Sequence, residues 1–387
     1  MKWHLFVAGL VLAASGGRTA PPLAEPNSPL AATIDSALTA LYNLDHAKAQ
    51  SEFRSLANQD PDNPIGSYGL TTALWWELTN EFDEQNDTLE KSFLDAAQIT
   101  LKITEPKMKS GADPTGVARL CRGGTLGLVA RWDALQGHWL AAYRKGKQAF
   151  TLQKEAIAAN PDLYDAYLGP GIFHYYVAVL PAGIKTLARM VFGGSKEQGL
   201  AEIRIAMTHG QFSKTAARLF LVNIYTNNEK DPDTALSLLR EGRADFPDSP
   251  FFHLVELMVL DEARKWDELE AGALDFLARI EAGQPFYSRR LRHRGAFVLA
   301  NSFLGRGDAA RALAEYDRIL AAVTVDDRWI TMTYLNRGKA HDLLGQRERA
   351  LADYRSVLKR RDVWGLHDQA KELKRRPYQG RVTGRSS

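Results

Sequence analysis

The chain has 387 residues, of which 45% are hydrophobic and 25% are charged, and its formal net charge is +3. These values are ordinary for a soluble globular protein. The only clear basic run lies at the C-terminus, and no other stretch interleaves basic with aromatic residues, so nucleic acid is not expected as a partner. The run is predicted to be a solvated tail, its alternative being an electrostatic arm for nucleic acid or anionic lipid: Lys371, Lys374, Arg375, Arg376, Arg381 and Arg385.

Residues 1–20 have the order of a secretory signal peptide. A short positive start at Lys2 precedes an apolar run from Leu5 to Ala14, and small residues follow. The run is too short to span a membrane, which takes about 20 residues. Residues 21–29 are rich in proline and predict an extended linker. We therefore expect export, to the periplasm; the alternative is a cytosolic protein whose N-terminal segment is buried or disordered.

One spacing recurs along residues 30–362. A small residue is followed by a larger one four positions later and by a helix-face residue three after that, so all three share one face of a helix. In most copies a proline five positions further on ends the helix. The copies are Ala49–Phe53–Leu56–Pro61, Ala149–Gln153–Ala156–Pro161, Ala235–Leu239–Gly242–Pro247, Ala273–Leu277–Ile280–Pro285, Ala312–Tyr316–Ile319 and Ala350–Tyr354–Val357.

This spacing resembles the second helix of the tetratricopeptide repeat (TPR). Gly307 and Gly345 stand at the turn between the paired helices, and Gly338 takes the small-residue position of a first helix. The resemblance implies an all-α fold, a right-handed superhelical solenoid of about eight antiparallel helix pairs over residues 30–362. A C-terminal helix and the basic tail follow over 363–387. The period from Ala312 to Ala350 exceeds the standard repeat of about 34 residues, so loops or helices are longer here.

The middle of the chain, residues 107–212, diverges from the repeat. Its residues run Asp165-Ala166-Tyr167-Leu168-Gly169, Phe173-His174-Tyr175-Tyr176, Leu180-Pro181, Gly193-Gly194 and Gly199-Leu200. This order resembles the divergent tetratricopeptide-repeat-protein-39 family and its bacterial relatives, best over about residues 137–250. It departs from that family at Gly169-Pro170-Gly171. The resemblance implies no enzymatic activity, and the eukaryotic members are associated with membranes and lipid-linked processes.

Catalytic, metal and cofactor motifs are missing from the sequence, which predicts a protein that is not an enzyme and takes no cofactor. Gly193-Gly194-Ser195-Lys196 is interpreted as a helix stop followed by an N-cap at Ser195, not as a phosphate loop. His174 is predicted to be hydrogen-bonded in an aromatic cluster, the alternative being a ligand or acid–base group. The only cysteine, Cys121, is predicted to be a buried small hydrophobe, the alternative being a reactive thiol. Glu77 and Glu81 are interpreted as charges on a solvated helix face.

The predicted function is binding, because the first helices of stacked pairs form a concave groove. A protein or peptide partner is expected there, as an amphipathic helix or extended segment. The alternative is an envelope- or lipid-associated protein that uses the aromatic segment 165–192, in which Ile184 to Phe192 has one apolar face. The residues expected to face the groove are Phe220, Ile224, Asn227, Arg294, Phe297, Asn301, Met332, Leu335, Lys339 and Asp342.

Overall fold

The computed structural model describes residues 23–81, 86–180, 194–322, 327–362 and 365–380, and within these ranges it contains helices and no strand. The all-α prediction is confirmed. Short turns of 3₁₀ helix (Tyr164–Tyr167, Arg289–Leu291) and π helix (Tyr225–Glu229) supplement the α-helices. These are α1 Pro29–Tyr42, α2 His46–Gln59, α3 Pro64–Asn80, α4 Asp87–Ser110, α5 Val117–Leu135, α6 Trp139–Ala159, α7 Leu168–Val179, α8 Lys196–His209, α9 Lys214–Ile224, α10 Pro232–Asp245, α11 Pro250–Glu262, α12 Trp266–Glu281, α13 Arg292–Gly305, α14 Ala309–Ala322, α15 Arg328–Leu343, α16 Arg347–Leu358 and α17 Leu366–Arg375.

Within the described ranges the helices pack mainly on their chain neighbours and form eight pairs, from α1 with α2 to α15 with α16. The helix α17 packs on α16 and α15 and covers the end of the array. The divergent stretches 64–133 and 162–210 contain helix pairs as well. First helices also contact the next first helix, as α11 does α13 and α13 does α15. This is the solenoid arrangement that the recurrent spacing predicts, with the first helices forming one layer.

Local sequence signals explain where the helices begin and end. The Ser28 side chain accepts a hydrogen bond from the Ala31 amide, and Pro29 occupies the first turn of α1, where a missing N–H costs nothing. Asp231 and Pro232 start α10 in the same way. The prolines at 61, 161, 247 and 285 come after the last residue of a helix. Gly307 (φ +85°) and Gly345 (φ +71°) adopt the left-handed conformation at the turns where they were expected.

The recurrent spacing fills the space between paired helices. Ala350, Tyr354 and Val357 of α16 are all buried, and Tyr354 lies against Gly338 of α15. A Cβ built on Gly338 would stand only 2.5 Å from Tyr354 Cε1, so the ring occupies the space that the glycine leaves. Gly295 of α13 makes the same approach to the ring of Phe276. The small and large positions therefore interlock, and this contact sets the distance between the helices of a pair.

The two ends of the array meet. Repeats of an open solenoid contact only their neighbours, but here α1 and α3 pack against α11, α13 and α15. The residues of this contact, here called the closing seam, include Tyr42, Trp76, Phe251, Arg294 and Arg328. The rings of Trp76 and Phe251 are 5.0 Å apart, and the Ser249 hydroxyl donates to the Tyr42 carbonyl oxygen at 2.5 Å. The superhelix therefore closes on itself and encloses a central space.

Arginines from the late repeats hold the C-terminal end of α3 at the closing seam. Arg328 donates to the carbonyl oxygen of Thr79, and Arg294 donates to that of Asn80 at 3.4 Å. The last carbonyls of a helix lack partners within the helix and carry its negative dipole end. Arg294 also lies 3.6 Å from the Glu81 carboxylate. Glu81 is thus an interface residue and not a charge on a solvated face, a correction that only the chain's long-range packing reveals.

The segments that precede α1 and follow α17 both contact the helix array. Leu23 and Ala24 are buried, and Gln211 exchanges two hydrogen bonds with the Ala24 backbone, at 2.8 and 2.7 Å. The proline-rich segment expected as an extended linker over 21–29 is therefore docked at Leu23 and Ala24, while Glu25 to Asn27 are exposed and Pro29 begins α1. At the other end, the Tyr378 amide donates to Asp342 at 2.8 Å. The signal-peptide prediction for 1–20 and the segment 381–387 lie outside the described residues. No helix within the described ranges combines the length and apolar character needed to cross a bilayer.

Candidate functional site

The closed superhelix surrounds a central cavity of about 2310 Å³. The first helix of every pair lines it, from α1 to α15, as expected for the concave side of a solenoid. Residues of α6, the start of α12, the start of α14, α17 and residues 378–380 also contribute to the wall. This space is therefore shared by all eight described pairs.

Most of the cavity wall is apolar and aromatic. The helix α7 contributes Phe173 and Tyr176, and α9 and α11 add Phe220 and Phe251. Trp76 of α3 joins them from the closing seam. Gly127 of α5 also lies on the wall, and a Cβ built there meets no atom within 4 Å. Gly127 thus faces empty space, whereas Gly123 and Gly124 are packed against neighbouring side chains.

A chain of polar side chains, here called the amide ladder, runs along one edge of the cavity through Asp261, Asn301, Asn336 and Lys339. The Asn301 amide donates to Asp261 at 2.6 Å, and its oxygen accepts from Asn336 at 3.0 Å. The Asn336 oxygen in turn accepts from the Lys339 ammonium at 2.8 Å. Tyr316 donates to the same Asn301 oxygen at 2.6 Å. These bonds order the polar edge before any ligand binds, which lowers the entropic cost of recognition.

Seven of the ten residues expected to face the groove line the cavity. They come from three first helices and the π turn after α9, and whether they contact a partner stays a prediction. They are Phe220, Asn227, Phe297, Asn301, Met332, Leu335 and Lys339.

The other three expected groove residues do not line the cavity, and each belongs to the packing of the chain. Ile224 is fully buried in the main core. Arg294 lies in the closing seam against Glu81. Asp342 is buried, where it accepts hydrogen bonds from Tyr354 at 2.7 Å and from Arg347 at 2.8 Å. Repeat spacing identifies a helix face but not the other elements that reach that face.

The spacing also missed cavity residues in the divergent repeats. Trp76, Phe173 and Tyr176 lie on first helices whose sequence matches the repeat poorly. The available signal was the density of aromatic residues in these helices, since large rings supply most of the contact area of a binding surface. Of the segment 165–192 proposed for lipid contact, Phe173 and Tyr176 line the cavity. Its amphipathic part, Ile184 to Phe192, lies outside the described residues.

His174 and Cys121, the two candidates for reactive groups, are both buried in the packed structure. His174 is buried, its Nδ1 lies 2.6 Å from a Glu202 oxygen, and its ring meets Phe150 edge-on at 5.4 Å. The prediction of a hydrogen-bonded histidine in an aromatic cluster is confirmed. Burial raises the pKa of the Cys121 thiol far above its usual range, which suppresses the reactive thiolate. Ser195 caps α8 by accepting from the Gln198 amide at 3.1 Å, as predicted.

Metal binding receives no support from the described ranges, in which no group of three or more His, Cys, Asp or Glu side chains is placed to hold an ion. Glu77 of α3 and Glu81, which follows its last residue, are both engaged elsewhere. Gln50 donates to Glu77 at 2.5 Å, and Glu81 faces Arg294. Polar side chains elsewhere on the cavity wall, among them Arg131, Asn223 and Asn227, add to the amide ladder.

No family model matches the sequence, and no curated protein matches it. The narrower family resemblance of residues 137–250 therefore stays a prediction. Among solved structures, the crystal structure of the P58(IPK) TPR domain is similar to this chain with 15% sequence identity. The match covers 90% of this chain and 98% of that chain, with a TM-score of 0.25. The score is too low for a shared arrangement of the helices, so the fold described above follows from this chain's own packing.

Proposed function

We propose that this chain is a non-enzymatic binding protein that encloses an amphipathic segment of a protein or peptide partner in its central cavity. The observation that carries the proposal is the division of the cavity wall. Aromatic and aliphatic side chains cover most of it, and the hydrogen-bonded amide ladder follows one edge. An amphipathic helix presents the same division on its own surface.

The size of the cavity supports a polypeptide segment over a small metabolite. Small-molecule pockets have volumes of roughly 300–1,000 Å³, and this cavity measures about 2310 Å³. An α-helix with side chains is about 10–12 Å across and rises about 5.4 Å per turn, so four turns fill roughly 2,000 Å³. A segment of about four helical turns therefore fits the space.

Export of the chain belongs to the same proposal and is supported by the order of residues 1–20 alone. N-terminal sequencing of the secreted or periplasmic fraction of an expressing bacterium tests it. A mature N-terminus between residues 15 and 21 supports export. Retention of Met1 or Lys2 in the cytoplasm contradicts it and leaves the binding proposal intact.

Two substitutions at Gly127 test the cavity directly. Gly127→Trp places an indole in the open space and shortens the cavity, whereas Gly127→Ala adds one methyl group and leaves the cavity almost unchanged. The probe is a fluorescent amphipathic peptide of about 14 residues, four turns, with leucines at positions i, i+3, i+4 and i+7 and glutamines elsewhere. Fluorescence anisotropy measures its binding.

We expect the unmodified chain and Gly127→Ala to bind the peptide alike and Gly127→Trp to bind it at least about tenfold more weakly, the loss of about 1.4 kcal/mol. Circular dichroism confirms that both variants remain helical. Equal binding by all three proteins, or no binding by any of them, would refute cavity capture. A scrambled peptide of the same composition, in which the leucines no longer share a face, is the matched control probe.

A further inference from the structure

The turn between α5 and α6 exposes four large apolar side chains. Leu135 ends α5 with 42% of its surface exposed, and Trp139 and Leu140 start α6 with 71% and 62% exposed. Tyr143, one helical turn later, is 49% exposed. Tryptophan and leucine are usually buried, and Trp139 is the most exposed large hydrophobic residue in the described ranges. These four exposed side chains, which lie close together in the sequence around the turn, are here called the α5–α6 patch.

The surroundings of the patch carry an excess of positive charge in an almost neutral chain. Residues 117–154 contain seven lysines and arginines and a single acidic residue, Asp133. Asp133 is already occupied, since the Lys145 ammonium lies 2.5 Å from its carboxylate. Arg144 and Lys147, which follow the patch on α6, are exposed. The patch therefore presents apolar rings and cations together, with no free acidic group in residues 117–154.

We propose that the α5–α6 patch docks the protein on the surface of an anionic lipid bilayer. Trp139 and Leu140 enter the interfacial region, where tryptophan is favoured because its ring is apolar and its N–H is polar. Arg144 and Lys147 stay at the level of the headgroup phosphates and bind them, with their alkyl stems covering apolar surface. The docking does not require an occupied cavity, so it is independent of the proposed capture of a peptide.

The size of the patch favours a bilayer over an acidic protein. Four partly exposed side chains offer on the order of 450 Å², whereas a stable protein interface takes roughly 800 Å² from each partner. Surface binding to a bilayer needs less area, since a few inserted side chains and several nearby cations act together. Charge complementarity then requires an anionic surface, because the cations around the patch repel a positive one and gain little from a neutral one.

The patch adjoins the mouth of the cavity. Leu135 and Tyr143 both line the cavity and are exposed to solvent, so they belong to its opening. Docking through the patch turns this opening toward the bilayer. Amphipathic segments that lie at a membrane surface are then presented to the cavity from the side on which they are bound.

Vesicle co-sedimentation of the full chain tests the proposal. The vesicles are phosphatidylcholine alone, or phosphatidylcholine with about 30% phosphatidylglycerol, at salt concentrations of about 0.1 and 0.5 M. One variant, Trp139→Ser with Leu140→Ser, removes the apolar part of the patch, and another, Arg144→Gln with Lys147→Gln, removes its cations. Leu274→Ser is the matched control, because Leu274 is 52% exposed on α12, outside the patch.

We expect binding to the anionic vesicles that weakens in high salt and is at least about tenfold stronger than binding to neutral vesicles. Each double variant should lose about tenfold or more in partitioning, the charge variant should lose its salt dependence, and Leu274→Ser should bind like the unmodified chain. No binding to anionic vesicles, or unchanged binding by both double variants, overturns the proposal. Patch-dependent binding to immobilised polyglutamate without vesicle binding also overturns it and assigns the patch to an acidic polypeptide.

Discussion

Breaking the ion pair of the closing seam should release α3 from the late repeats. Arg294 is 8% exposed, lies 3.6 Å from Glu81 and stacks over the Trp329 ring with its guanidinium carbon 5.9 Å from the centroid. Replacing one partner of a buried pair leaves the other charge uncompensated, at a cost of about 3–5 kcal/mol. The Glu81 side chain is 16% exposed to solvent, and His46 lies 4.0 Å from its carboxylate. Because both partly compensate the charge of Glu81, we expect Arg294→Met to cost about 3 kcal/mol, the lower end of that range.

The matched control removes both charges. Arg294→Met combined with Glu81→Gln leaves no buried charge and keeps the volume of both side chains. We expect this double variant to cost about 1 kcal/mol, since the pair itself contributes little net stability once its desolvation is counted. Because Glu81→Gln alone should also be destabilising, the double-mutant cycle should then give a coupling of at least about 2 kcal/mol between the two positions.

Native-state hydrogen exchange is the assay, because a repeat array unfolds in parts and a single midpoint does not report one region. In Arg294→Met, the amides of α1 to α3 should exchange faster while those of α5 and α6 stay protected. A double variant as destabilised as the sum of the single changes would show that Arg294 and Glu81 are not coupled. Faster exchange around Arg294 without faster exchange in α3 would show that this ion pair does not hold α3.

Acid should loosen the same seam. Burial alone raises the pKa of Glu81, but His46 and the charge of Arg294 outweigh it and hold the pKa below its ordinary value. A carboxyl whose folded pKa is lowered contributes stability above its ordinary value and loses it as pH falls through the folded pKa. Protection of the α3 amides should therefore fall in the range below about pH 4.5, and Glu81→Gln should remove this pH dependence. Unchanged α3 protection across that range would show that Glu81 does not hold the seam.

Three further outcomes follow from individual side chains. Gly295→Ala should destabilise the chain by about 1–3 kcal/mol, because the new Cβ would stand 2.6 Å from Phe276, whereas Gly127→Ala should stabilise it by about 0.5–1 kcal/mol in thermal unfolding. Burial, with the charge of Arg243, lowers the pKa of His253 to about 4. The unfolded chain therefore takes up the proton first, and the free energy of unfolding should fall by about 3 kcal/mol as pH drops from about 6.5 to 4, a slope that His253→Gln should lack. Cys121 should resist alkylation in the native chain and react only after unfolding; rapid native labelling would contradict its burial.

The pairing of helices could be predicted from the sequence because it depends on local geometry. Residues four and seven positions apart share a helix face in any α-helix. The buried row Ala350, Tyr354 and Val357 was therefore placed correctly, and so was the turn at Gly345. A capping serine acts within three residues, which made the start of α8 at Ser195 predictable too. These contacts lie within one helix pair or within a few residues, so they do not depend on the overall shape of the array.

Closure of the superhelix was decided by tertiary structure alone. The path of the array is the sum of small rotations between eight successive pairs, and each rotation depends on side-chain packing that no short spacing records. Arg294 and Glu81 are more than two hundred residues apart in the chain. For that reason the spacing predicted Arg294 to be a groove residue, and Glu81 was interpreted as a solvated charge. The sequence by itself thus determined a set of paired helices with one face of each first helix turned inward. Only the packing between distant pairs converted that face from an open groove into an enclosed cavity, because long-range contacts bring together helices whose sequences carry no mark of each other.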